Sequence, residues 1–138
     1  MDKKTFRKEE RLCSKRSIDD LFHNGSSFVL YPFRVVFNQP PVDSTSMTTL
    51  VKVLFSVPKR KIKKAVTRNR VKRKLRECFR DHKSMSLEYF YSQGLPLHVA
   101  VQYIPTEILD YRTLHEKMAE ALAKLCLVYD RIYLGEDH

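Results

Sequence analysis

The sequence predicts an α+β fold, a single-domain α/β sandwich in which helices pack on a small sheet in the order α-β-β-β-α-β-α. Three segments have the apolar–polar alternation and length of strands, at Phe33–Asn38, Leu50–Val57 and Leu97–Ile104. Two others have helical periodicity, one around Val71–Phe79 and one over Tyr111–Leu127. The chain has 138 residues, of which 43% are hydrophobic, so it is long enough to bury one core.

The first elements are predicted from cap and turn signals. Residues 1–16 form a basic, polar arm in this interpretation. Ser17 is the predicted N-cap of a short helix, SIDDLF, which ends before Gly25. Ile18 and Phe22 are four residues apart and share one face of that helix. The following SSFVLYPFRVVFNQ predicts two strands separated at Pro32.

The connections and ends of the chain are predicted from composition. Residues 39–49 are rich in Pro, Ser and Thr and predict a mobile loop. Lys83–Pro96 is irregular, with a short helical piece around Ser86–Tyr91. Residues 129–138 are interpreted as a tail, and residues 1–138 as one domain without internal repeats.

Positive charge is concentrated in one segment. The formal net charge is +10, yet the segment from Lys59 to Arg80 alone holds twelve Lys and Arg residues against one acidic residue, Glu77. A solvated helix face would mix both signs, so this segment indicates a polyanionic partner. Neither an apolar leader nor a bilayer-spanning run is predicted, and the three cysteines form no metal-binding spacing. A reducing cytoplasm is therefore the expected location.

Helical geometry divides the basic segment into two surfaces. The apolar stripe of this helix consists of Val71, Leu75, Cys78 and Phe79. Far from it, and facing outward, are Arg70, Arg73 and Lys74. Lys72 and Arg76 flank the stripe. Arg68 lies on the stripe at the first turn, where it can reach past the sheet edge. Cations at a helix N-terminus favour bound phosphate, and this helix is preceded by Lys59, Arg60, Lys61, Lys63 and Lys64.

Strand alternation predicts a second surface, on one face of the sheet. Arg34 and Val36 share a face of their strand. Lys52, Ser56 and Gln102 are expected on the same face of the sheet. With Ile18 and Phe22 beside it, this face offers the cations and stacking surface that single-stranded nucleic acid requires. The alternative is that Ile18 and Phe22 belong to the core, and the sequence leaves both open.

The string SVPKRKIKKAVTRNRVKRKLRECFR closely resembles the signature of the bacterial ribonuclease P protein family, whose hallmark is an Arg-Asn-Arg helix after a strand that ends in basic residues. The opening FRKEERLCSKRSIDDLFHNGSSF is also similar, and the resemblance covers roughly Phe6–Val128. It implies a left-handed crossover in the strand–basic helix–strand unit. It also implies that the protein grips a catalytic RNA through the Arg-Asn-Arg helix and holds the 5′ leader of precursor tRNA between the first helix and the sheet.

The resemblance assigns roles to two sets of residues. Those expected to bind the catalytic RNA are Arg60, Lys61, Lys63, Lys64, Arg70, Arg73 and Lys74. Those expected to line the leader cleft are Ile18, Phe22, Arg34, Val36, Lys52, Ser56, Arg68, Asn69, Lys72 and Arg76. The chain departs from the family at two of these positions, because the family often has Phe at Ile18 and an aromatic residue at Val36.

The resemblance further implies an accessory protein of an endoribonuclease, whose magnesium ions are bound mainly by the RNA. The acidic and histidine residues are scattered, so no active site on the protein is expected. The expected partners are the catalytic RNA and precursor tRNA, with no membrane and no obligate protein partner. Two other functions fit the charge: a ribosomal or other structural RNA-binding protein, and a membrane-surface protein with a basic amphipathic helix.

Overall fold

Four helices and four strands lie within residues 10–40 and 51–133, the part of the chain that the computed structural model describes. They are α1 (Lys15–Asn24), β1 (Ser26–Leu30), β2 (Phe33–Asn38), β3 (Val51–Ser56), α2 (Ala65–Ser86), α3 (Glu88–Gln93), β4 (Leu97–Tyr103) and α4 (Tyr111–Tyr133). The predicted α+β class is confirmed. The short helical piece expected around Ser86–Tyr91 is α3, and it adds one helix to the predicted order.

The sheet is mixed, with the strand order β1-β2-β4-β3. β1 pairs antiparallel with β2, and β2 pairs antiparallel with β4. β3 lies at one edge and pairs parallel with β4, so the chain must cross over between them. That crossover contains α2 and α3, which makes β3–α2–β4 the strand–basic helix–strand unit expected from the sequence.

One face of the sheet packs against α2, α3 and α4 and forms the main core. α2 contributes the stripe that the periodicity predicted, because Val71, Leu75, Cys78 and Phe79 are all buried. Phe79 stacks edge-on against Phe55 of β3, with ring centroids 5.6 Å apart. Burying this stripe turns the basic side of α2 away from the core.

The other face is covered only in part, by α1. Leu21 is fully buried there and forms a second, smaller cluster with Leu12, Val36 and Ala100. Ile18 packs against the edge of this cluster. α1 therefore lies across the middle of the sheet, and Arg34 stays exposed on one side of it.

The N-terminal arm predicted for residues 1–16 is wrong for residues 10–16, the last two of which belong to α1, whereas residues 1–9 lie outside the described part of the chain. Leu12 is 3% exposed, and its amide donates to the carbonyl of Val53 at 2.9 Å. The ammonium of Lys83 lies 2.6 Å from a carboxylate oxygen of Glu10. The polar composition of the segment concealed these contacts, which depend on elements far along the chain.

Two other boundary predictions are corrected. The segment expected to be irregular from Lys83 begins with the last turn of α2, which ends at Ser86. The tail predicted from residue 129 begins too early, because α4 continues to Tyr133. Tyr129 is fully buried, and its hydroxyl donates to the carbonyl of Pro96 at 2.8 Å. Most of the predicted loop at 39–49 lies outside the described residues.

The first helix begins three residues earlier than predicted. Ser14, not Ser17, is the N-cap, and its hydroxyl accepts the amide of Ser17 at 3.3 Å. We expect Ser14→Ala to lower the free energy of unfolding by about 0.5–2 kcal/mol, because an N-cap hydrogen bond is lost. Ser17→Ala is the matched control and should change it by less than about 0.5 kcal/mol, because alanine is a good helix former. Urea denaturation measures both, and a larger loss for Ser17→Ala would contradict the cap assignment.

Candidate nucleic-acid interface

A short basic loop, residues 57–64, precedes α2 and is held in place by its own backbone hydrogen bonds. The carbonyl of Pro58 accepts the amides of Lys61 and Ile62 at 3.0 and 3.2 Å. Ile62 is 7% exposed and inserts into the main core. The basic side chains around it, at Lys59, Arg60, Lys63 and Lys64, are exposed. The loop thus presents a cluster of cations on a constrained backbone.

Arg68 stabilises this loop. Its guanidinium donates to the carbonyl of Ile62 at 3.0 Å and to that of Lys63 at 2.7 Å. Helical periodicity placed Arg68 at the first turn, where it could reach past the sheet edge, and the family resemblance assigned it to the leader cleft. In the structure it reaches back to the loop, so its contribution is to position the cations there.

The N-terminus of α2 is suited to an anion. Its N-cap is Lys64, whose side chain makes no capping hydrogen bond, and the first turn has no acidic residue. Amides of a first helical turn have no partner within the helix, so they combine with the nearby cations to attract phosphate.

Two sides of α2 are basic, as helical geometry predicted. Arg70 and Arg73 are exposed on the side opposite the buried stripe, with Lys74 partly exposed next to them. Lys72 and Arg76 are partly buried along the flank of the stripe. Burial lowers the pKa of Arg76, and the guanidinium groups of Arg11 and Arg73 lower it further. Arg11 therefore lies near α2, a proximity that the sequence did not predict.

Strand register divides the second face of the sheet into three rows. Arg34, Gln102 and Ser56 are successive partners across β2, β4 and β3, and Arg34 donates to the side chain of Gln102 at 2.7 Å. The next row is apolar and lies under α1: Val36, Ala100 and Leu54. The third row is polar again and consists of Asn38, His98 and Lys52.

Each polar row lies along a different flank of α1. Leu21 points at the sheet, and at about 100° per residue its two neighbours project to opposite sides. Asp20 accepts a hydrogen bond from Asn38 at 3.1 Å, so this flank faces the third row. Phe22 must then project over the row of Arg34 and Gln102. Phe22 is 39% exposed, which leaves surface on which a base could stack.

We define the groove as the strip lined by Phe22, Ile18, Arg34, Gln102 and Ser56. It combines an exposed ring with a cation and with polar side chains from three strands, the combination that single-stranded nucleic acid requires. The alternative that Phe22 and Ile18 are core residues holds in part for Ile18, which packs on the second cluster.

Two residues that the family resemblance assigned to the leader cleft lie outside this groove. Val36 is 2% exposed beneath α1, so its side chain is part of the second cluster and offers no stacking surface. Lys52 belongs to the third row, and four residues of strand separate it from Ser56 by about 13 Å. It lies beside His98, whose pKa is lowered by burial and by Lys52, and raised in part by Asp20.

The histidines are less scattered than the sequence suggested. His82 and His115 meet between α2 and α4, with Nε2 of one 3.2 Å from Nδ1 of the other. Nε2 of His115 lies 3.3 Å from a carboxylate oxygen of Asp81. α2 and α4 pack on the other face of the sheet, so this cluster does not line the groove.

Neither a metal site of protein ligands nor a membrane span is found in the described part of the chain. Across residues 10–40 and 51–133, no three His, Cys, Asp or Glu side chains are grouped so that they could hold a metal ion. Over the same residues, no helix is both long and apolar enough to cross a membrane.

Comparison with known proteins gives one consistent result. The family model described as Ribonuclease P matches residues 6–126. A ribonuclease P protein component of Porphyromonas gingivalis is 32% identical over 118 residues, which are 86% of this chain and 84% of that protein. The corresponding protein of Chlorobium phaeobacteroides is 34% identical over 106 residues, covering 72% of each chain.

Solved structures show the same fold. The RNase P protein of Staphylococcus aureus matches with a TM-score of 0.64 at 21% identity, covering 87% of this chain and 97% of that chain. The RNase P protein of Thermotoga maritima matches with a TM-score of 0.60 at 24% identity, covering 83% of this chain and 96% of that chain.

Proposed function

The chain belongs to the ribonuclease P protein family, and we propose that it is the protein subunit of a ribonuclease P that removes the 5′ leader from precursor tRNA. The observation that carries the proposal is the placement of one dense cation cluster, on α2 and the loop before it, in a fold that also has an open groove beside α1. The cation cluster and the groove would each bind a different RNA.

The first partner is the catalytic RNA. The exposed side of α2 and its basic loop offer cations without a neighbouring carboxylate in the first helical turn. Folded RNA presents closely spaced phosphates, and cations on a rigid helix can neutralise several of them at once. Residues that would make these contacts are Arg60, Lys61, Lys63, Lys64, Arg70, Arg73 and Lys74.

The second partner is the leader of precursor tRNA. A leader is single-stranded, so its bases are free to stack on the ring of Phe22 while its phosphates approach Arg34. Gln102 and Ser56 add hydrogen-bonding groups along the same row. Lys72, Asn69 and Arg76, on the flank of α2, would meet the RNA where it leaves the sheet.

Hydrolysis of the phosphodiester bond would be carried out by the RNA with magnesium ions. Magnesium prefers oxygen ligands such as carboxylates and phosphates, and the described residues hold no cluster of carboxylates suited to it. The protein's part is then to bind substrate and to neutralise phosphates near the metal sites.

Reconstitution with the cognate catalytic RNA tests the proposal. We expect the protein to stimulate leader removal at low magnesium concentration, where the RNA alone is slow because its phosphates repel one another. Magnesium-dependent cleavage by RNA-free protein would contradict the assignment of catalysis to the RNA. A ribosomal protein would bind RNA but leave the rate of leader cleavage unchanged, which would contradict the proposed function as a whole.

A further inference from the structure

We propose that Arg11, together with Arg73 and Arg76 of α2, binds a phosphodiester group of RNA at the outer edge of β3. This inference rests on the proposed function and adds a contact from the N-terminal segment, which its composition predicted to be a polar arm. The site is formed by two segments that are about sixty residues apart in the chain.

The backbone fixes Arg11 at the sheet edge. Arg11 forms an isolated parallel bridge with Val53, and the next amide, of Leu12, donates to the Val53 carbonyl. β3 is an edge strand, so this short segment lies along its outer side. Leu12 is buried under α1, whereas the side chain of Arg11 is exposed.

An ion pair holds the same segment against α2. Both carboxylate oxygens of Glu10 lie within hydrogen-bonding distance of the Lys83 ammonium, at 2.6 and 2.7 Å. The pair is shielded, because the two side chains are 6% and 13% exposed. Lys83 lies seven residues after Arg76, so both project from nearly the same side of the helix. Glu10 therefore anchors the segment on the side of α2 that carries Arg76.

The charges of this region favour an anion. Arg11 and Arg73 both lie close enough to Arg76 to lower its pKa, in addition to the effect of its burial. Arg76 therefore lies near two other cations, and a phosphate bound beside it would be attracted by all three charges. Guanidinium groups also match phosphate oxygens in geometry, because each can donate two parallel hydrogen bonds.

The test is the salt dependence of RNA binding. Arg11→Gln should make the slope of log affinity against log salt shallower, by at most about one unit, because the three arginines contact the same phosphate and two of them remain. Arg11→Lys should restore most of the slope, because it keeps the charge. Arg131→Gln on α4 is the matched control, since it removes an exposed arginine elsewhere and should leave the slope unchanged.

A double-mutant cycle tests whether the arginines share one phosphate. If they do, Arg11→Gln combined with Arg76→Gln should change the slope by clearly less than the sum of the two single changes. Titrating the catalytic RNA and leader-bearing precursor tRNA separately shows which RNA supplies the phosphate. Loss of slope with either RNA supports the site.

The inference and the proposed function can fail separately. A wild-type slope for Arg11→Gln with both RNAs, alongside a shallower slope for Arg73→Gln, would overturn the Arg11 site while leaving the basic surface of α2 in place. Wild-type protein that binds neither RNA in a salt-dependent way would overturn the proposed function itself. Thermal unfolding of each variant, compared with wild type, excludes loss of fold as the cause of a changed slope.

Discussion

Raising the salt concentration from 50 to 200 mM should weaken RNA binding by about 10³–10⁵-fold, if about six to ten phosphates are neutralised. Each contact between a cation and a phosphate releases condensed counterions, and this release becomes less favourable as salt rises. The exposed cations of α2 and the basic loop are numerous enough for such a contact number. Affinity for the catalytic RNA, measured at several salt concentrations, gives the slope directly.

Replacing Arg70 and Arg73 by Ala should reduce this slope by about two units, one for each contact. Both side chains are exposed opposite the buried stripe of α2, so the fold should tolerate their loss. Arg112→Ala with Arg131→Ala is the matched control, because both residues are exposed on α4 and their loss removes the same charge. An unchanged slope in the α2 variant, or an equal change in the control, would place the RNA on another surface.

The basic surface could be predicted from sequence because its determinants are local. Helical period alone separates Arg70 and Arg73 from the stripe of Val71 and Leu75, and the buried stripe is the one predicted. The alternation of the strands is local in the same sense. It correctly put Arg34 and Gln102 on one face of the sheet, where they form a hydrogen bond.

The groove could be predicted only in outline, because its lining depends on where α1 crosses the sheet. Alternation places Val36 and Lys52 on the same face as Arg34 but does not say which row the helix covers. The structure shows that α1 covers the row of Val36 and separates Lys52 from Ser56. No sequence pattern encodes that crossing.

The N-terminal segment was missed for a related reason. Glu10 and Arg11 are polar residues in a polar stretch, so local composition predicts an arm. Their placement depends on Lys83 and Val53, which lie more than forty residues away. Long-range contacts of single charged residues leave no periodic signal in a sequence.

Phe22→Ala should reduce the preference for precursor over mature tRNA by about tenfold or more, because one base-stacking contact is worth about 1–3 kcal/mol. The effect should be specific to the leader, since mature tRNA has none. Adding Lys72→Ala should weaken precursor binding further, because a cation on the flank of α2 is lost. Affinity for the catalytic RNA should change far less in either variant, because the exposed side of α2 is intact.

The chain offers a matched aromatic control for this prediction. Tyr89 of α3 is 39% exposed, as Phe22 is, but α3 packs on the face of the sheet opposite the groove. Tyr89→Ala should therefore leave the preference for precursor tRNA unchanged. Phe22→Leu should keep most of the apolar contact with the protein while removing the aromatic ring, so it too should reduce the preference.

Thermal and chemical unfolding separate stacking from packing. If Phe22 were purely a core residue, Phe22→Ala would lower the free energy of unfolding by about 3–5 kcal/mol. The affinity for every RNA would then fall together. The exposed ring of Phe22 argues for a smaller loss, because part of the side chain already contacts solvent. If Phe22→Ala stays folded and still prefers precursor over mature tRNA as strongly as the wild type, the leader does not stack on Phe22 and the groove is not its binding site.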